Sequence, residues 1–331
     1  MPYKSFNFLK VNSLPLASFI LGLLLLAPLI YFVEPTVIFE SLKKIAWWQF
    51  GVIFFLKLVF MIFGALKWKV ILGFYEQEVS LRKLYLFKFA TFSISYFTPI
   101  AAVGGQAVGV MLLRSEKVPT KIGITTMLID SVLTPLVSIT ISFLAVVIFL
   151  LTKLFAGPVL LLAGIAFFPI ALTLVSLFFI FRLKSADIDE PKNNLWQRWK
   201  TTIKQHLLMS ADFFRKSRKA ALYLVGLNLL AHFSTLLETF LALYFLGAVF
   251  GVLELALVEA GYTLAFIIPI SQALGTAEAS SAYLFNFLGY GAALGVSLTL
   301  VLRARHLLVG LIGITVLVFY GVIKLRVPKF L

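Results

Sequence analysis

The chain contains the segment YFTPIAAVGGQ at residues 96–106 and the segment FIIPISQALGTAE at residues 266–278. Each interrupts an apolar run with a proline and then a glycine, and we call them the first break and the second break. A break at membrane depth frees backbone N–H and C=O groups that lipid cannot satisfy, so it persists only against protein or a water-filled cavity. Paired breaks in two halves of a chain indicate a binding centre where the halves meet.

Composition indicates a membrane protein. Hydrophobic residues make up 61% of the 331 residues, and the mean hydropathy is +1.02. Charged residues make up 13%, about half of the roughly 25% that is typical of globular domains. The chain has no cysteine, which excludes thiol catalysis and disulfide bonds. We therefore predict an all-α fold, a polytopic bundle of membrane helices.

Apolar windows of about 20 residues or more recur along the chain, and each is long enough to cross a membrane. Two further segments, 84–113 and 252–288, hold the breaks, and each is either a re-entrant hairpin or a pair of spans. The uninterrupted windows predict about six full spans at residues 14–33, 47–66, 122–151, 158–181, 220–246 and 292–323.

The net charge of +15 comes largely from the short segments between the apolar windows. This distribution is typical of a cytoplasmic face beside anionic lipid and not of a nucleic-acid groove. We therefore expect no nucleic-acid partner and place both termini in the cytoplasm of a multi-pass cell-membrane protein. The basic flanks that we count are Lys67, Lys69, Arg82, Lys83, Lys88, Arg114, Lys117, Lys121, the loop 182–219, Lys324, Arg326 and Lys329.

These assignments predict a single transmembrane domain, 1–331, with a first half at about 14–181, a basic loop at 182–219 and a second half at about 220–324. If both broken segments are re-entrant, the first enters from the cytoplasm and the second from outside, which is an inverted repeat. Within the loop, apolar residues at helical spacing predict an amphipathic helix, lying either in the headgroup plane or against the bundle. They are Leu195, Trp199, Ile203, Leu207 and Phe214.

The spacing of polar residues also suggests a repeat. Asp130 lies 24 residues after Gln106, and Arg303 lies 25 residues after Glu278, each in the apolar window that follows a break. The alternative is coincidence in a hydrophobic sequence of low complexity.

Ionisable residues inside apolar windows cost about 2.5–3.5 kcal/mol each on insertion scales, so they face a partner or an aqueous cavity. We assign Lys57, Asp130, His232 and Glu238 to an intramembrane charge or proton pathway. Lys57 is predicted either to be the counter-ion of Asp130 or Glu238 or to reach an interface. One helical face carries Asn228, His232, Thr235 and Thr239, with Glu238 near its edge, and it forms either part of the pathway or hydrogen bonds between helices.

The helix after each break begins near Gly105 or Gly275, so its N–H groups and positive dipole end form a candidate anion site. Close helix packing is the competing reason for these glycines. Arg303 and Arg305 can hold a phosphate bidentately or anchor to headgroups. The predicted substrate-binding residues are Pro99, Gly104, Gly105, Gln106, Pro269, Gly275, Glu278, Arg303 and Arg305.

At these residues the sequence resembles the lysylphosphatidylglycerol synthase transmembrane family, also called flippase-like membrane proteins. Pro99 and the pair Gly104 and Gly105 resemble the first motif of that family. The motif continues with an aspartate and an arginine, and this chain instead has Gln106 and Gly109. The chain therefore lacks the two charged residues of this motif.

The second motif of the family is matched by Pro269, Gly275 and Glu278. Residues 302–305, Leu-Arg-Ala-Arg, resemble its later arginine-bearing helix, and residues 66–69, Leu-Lys-Trp-Lys, resemble its basic-Trp-basic signature. The resemblance extends from about residue 14 to residue 323.

The resemblance implies a protein that moves a phospholipid or a polyprenyl-linked or other lipid-linked anionic molecule between leaflets. We expect no cofactor and no metal, because three histidines and dispersed carboxylates offer no metal-ligand spacing. The alternatives are an intramembrane lipid-modifying transferase and a non-transporting accessory subunit of envelope lipid or glycan biosynthesis. Expected partners are an anionic membrane lipid and either a second copy of the chain or a biosynthetic enzyme. No nucleotide-binding P-loop is visible, so transport would be passive or ion-coupled, with Glu238, Asp130 or Glu278 as candidate proton carriers.

Overall fold

The protein is a bundle of helices. The computed structural model describes residues 35–97, 103–153, 195–265 and 273–321, together with the single residues 24, 26, 28, 31 and 33. Within these residues it has no strand, which confirms the all-α prediction there. The helices are α1 (Pro35–Lys43), α2 (Trp47–Phe74), α3 (Leu81–Phe97), α4 (Val103–Ser115), α5 (Thr120–Lys153), α6 (Leu195–Lys216), α7 (Arg218–Phe245), α8 (Val252–Ala265), α9 (Thr276–Phe287) and α10 (Ala292–Phe319).

Four of these helices are long and apolar enough to cross a membrane, namely α2, α5, α7 and α10. Their mean hydropathies are 2.1, 1.8, 1.6 and 1.8. They match four of the predicted windows, and the protein is a multi-pass membrane protein. The predicted window 158–181 and all but a few positions of the window 14–33 lie outside the described residues.

Each break lies between two short helices. The first is flanked by α3, of 17 residues, and α4, of 13 residues. The second is flanked by α8, of 14 residues, and α9, of 12 residues. All four are shorter than the roughly 20 residues that a full span needs. Helix α3 packs on α4 and α8 packs on α9, and we call each of these two pairs of helices a hairpin.

The helices pair in the same way in the two halves of the chain. Helix α1 packs on α10, and α6 packs on α5. Helix α10 packs on α3, and α5 packs on α8, so the last long helix that the structure describes in each half lies against the hairpin of the other half. Helices α2 and α7 pair with each other. Every contact of α1–α5 named here therefore has a counterpart in α6–α10.

The core consists mainly of two apolar clusters. One surrounds Trp68, Phe87 and Leu112 and joins α2, α3 and α4 to the end of α10. The other surrounds Phe285 and Leu298 and joins α7, α8, α9 and α10 to the start of α2. Helix α10 contributes to both clusters and packs on α3, so it connects the two halves.

Helix α10 approaches α3 at the level of the backbone. A Cβ atom built on Gly313 would lie 2.1 Å from the carbonyl oxygen of Phe89 and 2.5 Å from Cβ of Ser93. The neighbour is backbone on one side, so it cannot rotate away. Only glycine fits this contact.

Replacing Gly313 by alanine is therefore expected to lower stability by about 1–3 kcal/mol or more, because overpacking forces the helices apart. The matched control is Gly226→Ala in α7, since a Cβ there would meet nothing within 4 Å. That change should stabilise the helix by about 1 kcal/mol, because alanine has the higher helix propensity. Thermal unfolding of the two purified variants in detergent would measure the difference, and equal unfolding temperatures would contradict the packing argument.

Helix α6 packs against the bundle, which settles the choice that the loop sequence left open. Its residues His206, Ser210, Ala211 and Phe213 are buried. His206 Nδ1 lies 3.0 Å from the hydroxyl oxygen of Thr125 in α5. The amphipathic helix thus covers α5 on one face, and it is not held by headgroups alone.

Candidate functional site

A cavity of about 360 Å³, lined mostly by residues with polar side chains, lies between the helices. Its volume is within the range of ligand sites, about 300–1,000 Å³. All four candidate spans contribute to its wall, together with α3 and α8, the first helix of each hairpin. The ionisable residues that line it, apart from Tyr262, are Lys57, His232, Glu238, Glu259, Arg305 and His306.

Arg305 and Glu238 form a buried ion pair across this cavity. The Nη1 group of Arg305, in α10, donates to Oε1 of Glu238, in α7. Nη2 of the same guanidinium contacts Nε2 of His306. The Nε–H group of Arg305 is buried and has no hydrogen-bond partner among the described residues. One donor of the arginine is therefore left without an acceptor among the described residues.

Lys57 lies in the cavity wall and is 8% exposed. Its Nζ atom lies 4.0 Å from the ring centroid of Phe60 and 5.3 Å from that of Phe92, so it makes cation–π contacts. Within the described part of the chain it forms no hydrogen bond or ion pair. It interacts through space with Arg305 and Glu259. Lys57 is thus a buried cation that faces the cavity without a contacting anion in that part.

Glu259 is a cavity residue that the sequence reasoning missed. It is 8% exposed, and its Oε1 atom accepts a hydrogen bond from the hydroxyl of Thr239. From the sequence, the residues of α8 are assigned only to the second broken segment, 252–288. The rule that singled out the other intramembrane charges applies equally to a glutamate inside an apolar helix, and it would have found Glu259.

Asp130 is bound by residues other than the predicted counter-ion Lys57, which corrects that alternative. Its Oδ1 atom lies 2.8 Å from Nζ of Lys67, and its Oδ2 atom lies 2.6 Å from Nζ of Lys88. Trp68 Nε1 also donates to Oδ2, at 2.8 Å. One carboxylate therefore joins α2, α3 and α5.

The same contacts correct the placement of two basic residues. We counted Lys67 and Lys88 among the cytoplasmic flanks, but their side chains are only 6% and 13% exposed. Both are counter-ions inside the bundle. Lys69 in α2 and Lys83 in α3 are exposed, as a flank residue should be.

The polar face of α7 lines the cavity along its length. Asn228 accepts a hydrogen bond of 3.0 Å from Lys67 and so links the Asp130 cluster to this wall. Thr239 binds Glu259, and Thr235 donates to the carbonyl group of Ala231 in its own helix. Two of these residues thus connect helices, while His232 makes no hydrogen bond among the described residues.

An ion pair lies at the C-terminal end of the second break. Arg303 donates through Nε and Nη2 to both carboxylate oxygens of Glu278, which is fully buried. Nη2 also donates to the carbonyl oxygen of Ala273, at 3.0 Å. Glu278 Oε2 accepts the N–H of Gly275 at 2.8 Å and so caps its own helix. The Arg303 guanidinium and the Gly275 N–H group, which the sequence suggests for binding an anion, both donate to Glu278 instead. Neither Glu278 nor Arg303 lines the cavity.

Gly275, directly before α9, and Gly105, the third residue of α4, have structural reasons. Gly275 has a φ of +81°, which favours glycine. A Cβ atom on Gly105 would lie 2.0 Å from Oγ of Ser95 and 2.5 Å from the carbonyl oxygen of Thr91, so α4 can approach α3 only because of that glycine. At both positions the close-packing or backbone explanation has direct geometric support.

The other predicted residues of the first break do not form a counterpart to the Glu278–Arg303 pair. Gly104 and Gln106 are half-buried. The side chain of Gln106 makes no hydrogen bond among the described residues, and Asp130 is bound elsewhere. Pro99 and Pro269 lie outside the described residues. The matching spacings of 24 and 25 residues therefore correspond to a contact in the second half alone.

The comparisons with known proteins identify the family. The family model described as the lysylphosphatidylglycerol synthase TM region matches residues 16–313 of the 331. The comparison with curated proteins finds no match, and the comparison with solved structures finds none either. Since the match covers most of the chain, including both breaks, α2, α5, α7 and most of α10, the protein belongs to the lysylphosphatidylglycerol synthase TM region family.

Proposed function

We propose that the protein binds the anionic headgroup of a phospholipid or lipid-linked molecule in the cavity and moves it between the two leaflets, without modifying it. The family links the chain to lipid biosynthesis or translocation in the membrane. The observation that carries the proposal is the charged cavity, whose wall includes all four candidate spans. Buried charges inside a membrane are costly and mark substrate pathways.

Two groups in the cavity are suited to a phosphate. Lys57 presents an ammonium that makes no ion pair within the described residues, and Arg305 presents an Nε–H that lacks an acceptor there. Hydrogen bonds between charged donors and phosphate oxygens are roughly twice as strong as neutral ones. A headgroup phosphate placed between α2 and α10 would satisfy both residues.

We further propose that the two halves form an inverted repeat whose hairpins are re-entrant, with both termini in the cytoplasm. Lys67 and Glu238 each lie twenty residues after the first residue of their helices, α2 and α7. Lys88 and Glu259 each lie seven residues after the start of α3 and α8. Charges of opposite sign thus occupy equivalent positions in the two halves, and this supports the repeat.

The distribution of ion pairs supports movement of one half against the other. Asp130 pairs with Lys67 and Lys88 within the first half. Glu238 pairs with Arg305, and Glu278 with Arg303, within the second half. None of these buried pairs joins the halves, while the cavity is lined by both. Rocking of the halves would therefore open the cavity to each leaflet in turn without breaking any of these ion pairs, as transporters built from inverted repeats do. The hydrogen bond from Lys67 to Asn228 does join the halves, so it would have to adjust during this movement.

A leaflet-resolved assay tests the proposal. Purified protein would be reconstituted into vesicles containing a fluorescent phosphatidylglycerol, and a membrane-impermeant quencher would be added outside. We expect the inner-leaflet probe to become accessible faster than in protein-free vesicles, with no new lipid species by mass spectrometry. A new lipid would instead support a transferase. The absence of both translocation and a new lipid product would support an accessory role.

Replacing Lys57 by methionine is expected to lower the apparent affinity for the probe by about 10- to 100-fold, because a charged hydrogen bond contributes about 1.5–3 kcal/mol. Methionine keeps an apolar stem beside Phe60 and Phe92, so stability should not fall. The control is Lys69→Met, an exposed position in the same helix. Titration of the probe in the translocation assay measures the effect, and wild-type affinity in Lys57→Met would remove this residue from the site.

A further inference from the structure

We infer that the cavity also binds a proton at Glu259, and that binding of an anionic headgroup beside Lys57 draws this proton in, so that lipid movement is coupled to proton movement. The inference rests on the proposed function and assigns it an energy source. It replaces the three carboxylates that the sequence suggested as proton carriers with one that the sequence analysis did not consider.

The first argument is the bonding of the buried carboxylates. Asp130, Glu238 and Glu278 each contact a lysine or an arginine. Within the described residues Glu259 contacts no cation, and its hydrogen-bond partner is the hydroxyl of Thr239. A carboxylate matched by a fixed cation has no reason to change its protonation during transport. Glu259 is the buried acid in this part of the chain that is left to respond to what enters the cavity.

The second argument is the repeat. The residue that corresponds to Glu259 in the first half is Lys88, which completes the Asp130 cluster through a contact of 2.6 Å. In the second half Arg305 is matched by Glu238 alone. The position occupied by Lys88 in the first half therefore holds the Asp130 cluster together, while the same position in the second half, Glu259, lines the cavity.

The third argument is the charge of the whole cavity. The titratable residues that line the same cavity as Glu259 are Lys57 from α2, His232 and Glu238 from α7, and Arg305 and His306 from α10, with Tyr262 on its own helix. From α3 and α5 the wall receives Phe92, Thr134 and Ser138, none of them charged. With neutral histidines and tyrosine, the two cations balance the two carboxylates.

A phosphate monoanion entering this site would leave one uncompensated negative charge in surroundings of low dielectric constant, where such a charge is costly. Protonation of Glu259 removes that charge and leaves the headgroup to Lys57 and Arg305. Headgroup binding and proton binding then favour each other by the same factor, because coupling between two sites is reciprocal. The product of one cycle is one headgroup and one proton delivered to the same side.

Proton uptake during binding tests the inference directly. Short-chain dioctanoyl phosphatidylglycerol would be added to the purified protein in weakly buffered detergent solution containing a pH indicator. We expect the wild type to take up as much as about one proton per bound lipid, as the reciprocal coupling requires. Glu259→Gln, which keeps an acceptor for Thr239, should still bind the lipid but take up none. The matched control is Glu254→Gln in the same helix, outside the cavity lining, and it should behave as the wild type does.

Proton uptake by Glu259→Gln equal to that of the wild type would overturn the inference. A pH-gradient experiment uses the wild type alone, so its result does not depend on how Glu259→Gln folds. In vesicles with a transmembrane pH gradient, we expect the gradient to drive phosphatidylglycerol toward the alkaline side. Translocation that ignores the gradient, with no proton uptake on binding, would overturn the coupling and leave the proposed function intact. Absence of translocation with and without a gradient would overturn the proposed function itself.

Discussion

Asp130→Asn is expected to destabilise the folded protein by about 3–5 kcal/mol, because removal of one partner leaves buried charges uncompensated. The carboxylate of Asp130 is the anion that contacts the ammonium groups of Lys67 and Lys88. Asparagine can still accept one hydrogen bond, but it cannot neutralise either lysine. The yield of monodisperse protein in detergent and its thermal unfolding temperature should both fall.

A second substitution distinguishes charge from packing. Combining Asp130→Asn with Lys88→Met removes one of the two ammonium groups that Asp130→Asn leaves without an anion, so part of the lost stability should return. The control is Asp212→Asn, which breaks a partly exposed pair with Lys216 at 3.5 Å and should cost no more than about 1 kcal/mol. If the double variant were as unstable as Asp130→Asn alone, the loss would come from hydrogen bonding and not from uncompensated charge.

The sequence predicted the helical content and the position of four long spans, because hydrophobic length is a local property that a window of about 20 residues captures. It also predicted the two breaks as hairpins or paired spans, since proline and glycine punctuate an apolar run locally. The polar face of α7 follows from helical spacing alone. Each of these predictions depends on residues that are neighbours along the chain.

The sequence does not predict in the same way which side chains of different helices contact each other. Lys57 and Lys67 lie in one helix, but they are separated by ten residues, which is about 15 Å along its axis. The sequence does not show which of them reaches the depth of Asp130, and the structure selects Lys67. Lys88 was misassigned for a related reason, because counting basic residues beside a span does not show which side chains turn inward.

The second break gives a mixed case. Local reasoning selected Glu278 and Arg303, and it assigned both of them to an anion. The bidentate pair that they form depends on how α10 packs beside the start of α9, which no spacing determines. Both residues are singled out from the sequence as substrate-binding. In the structure their charges neutralise each other.

Arg303→Leu is therefore expected to destabilise the protein, again by about 3–5 kcal/mol, because it leaves a fully buried carboxylate without its cation. Glu278→Gln should be costly as well, since it strands the guanidinium. In the double variant no uncompensated charge remains, and replacing a buried ion pair by uncharged groups is often close to neutral. Unfolding of the wild type, both single variants and the double variant gives the coupling energy as a double-mutant cycle.

The cycle separates two roles of the pair. A stable double variant that translocates phosphatidylglycerol at the wild-type rate would show that Glu278 and Arg303 only hold α9 against α10. A stable double variant without translocation would show that the pair is also needed for the movement of the second half. Additive losses in the two single variants would contradict the contact itself, because residues joined by two charged hydrogen bonds cannot contribute independently.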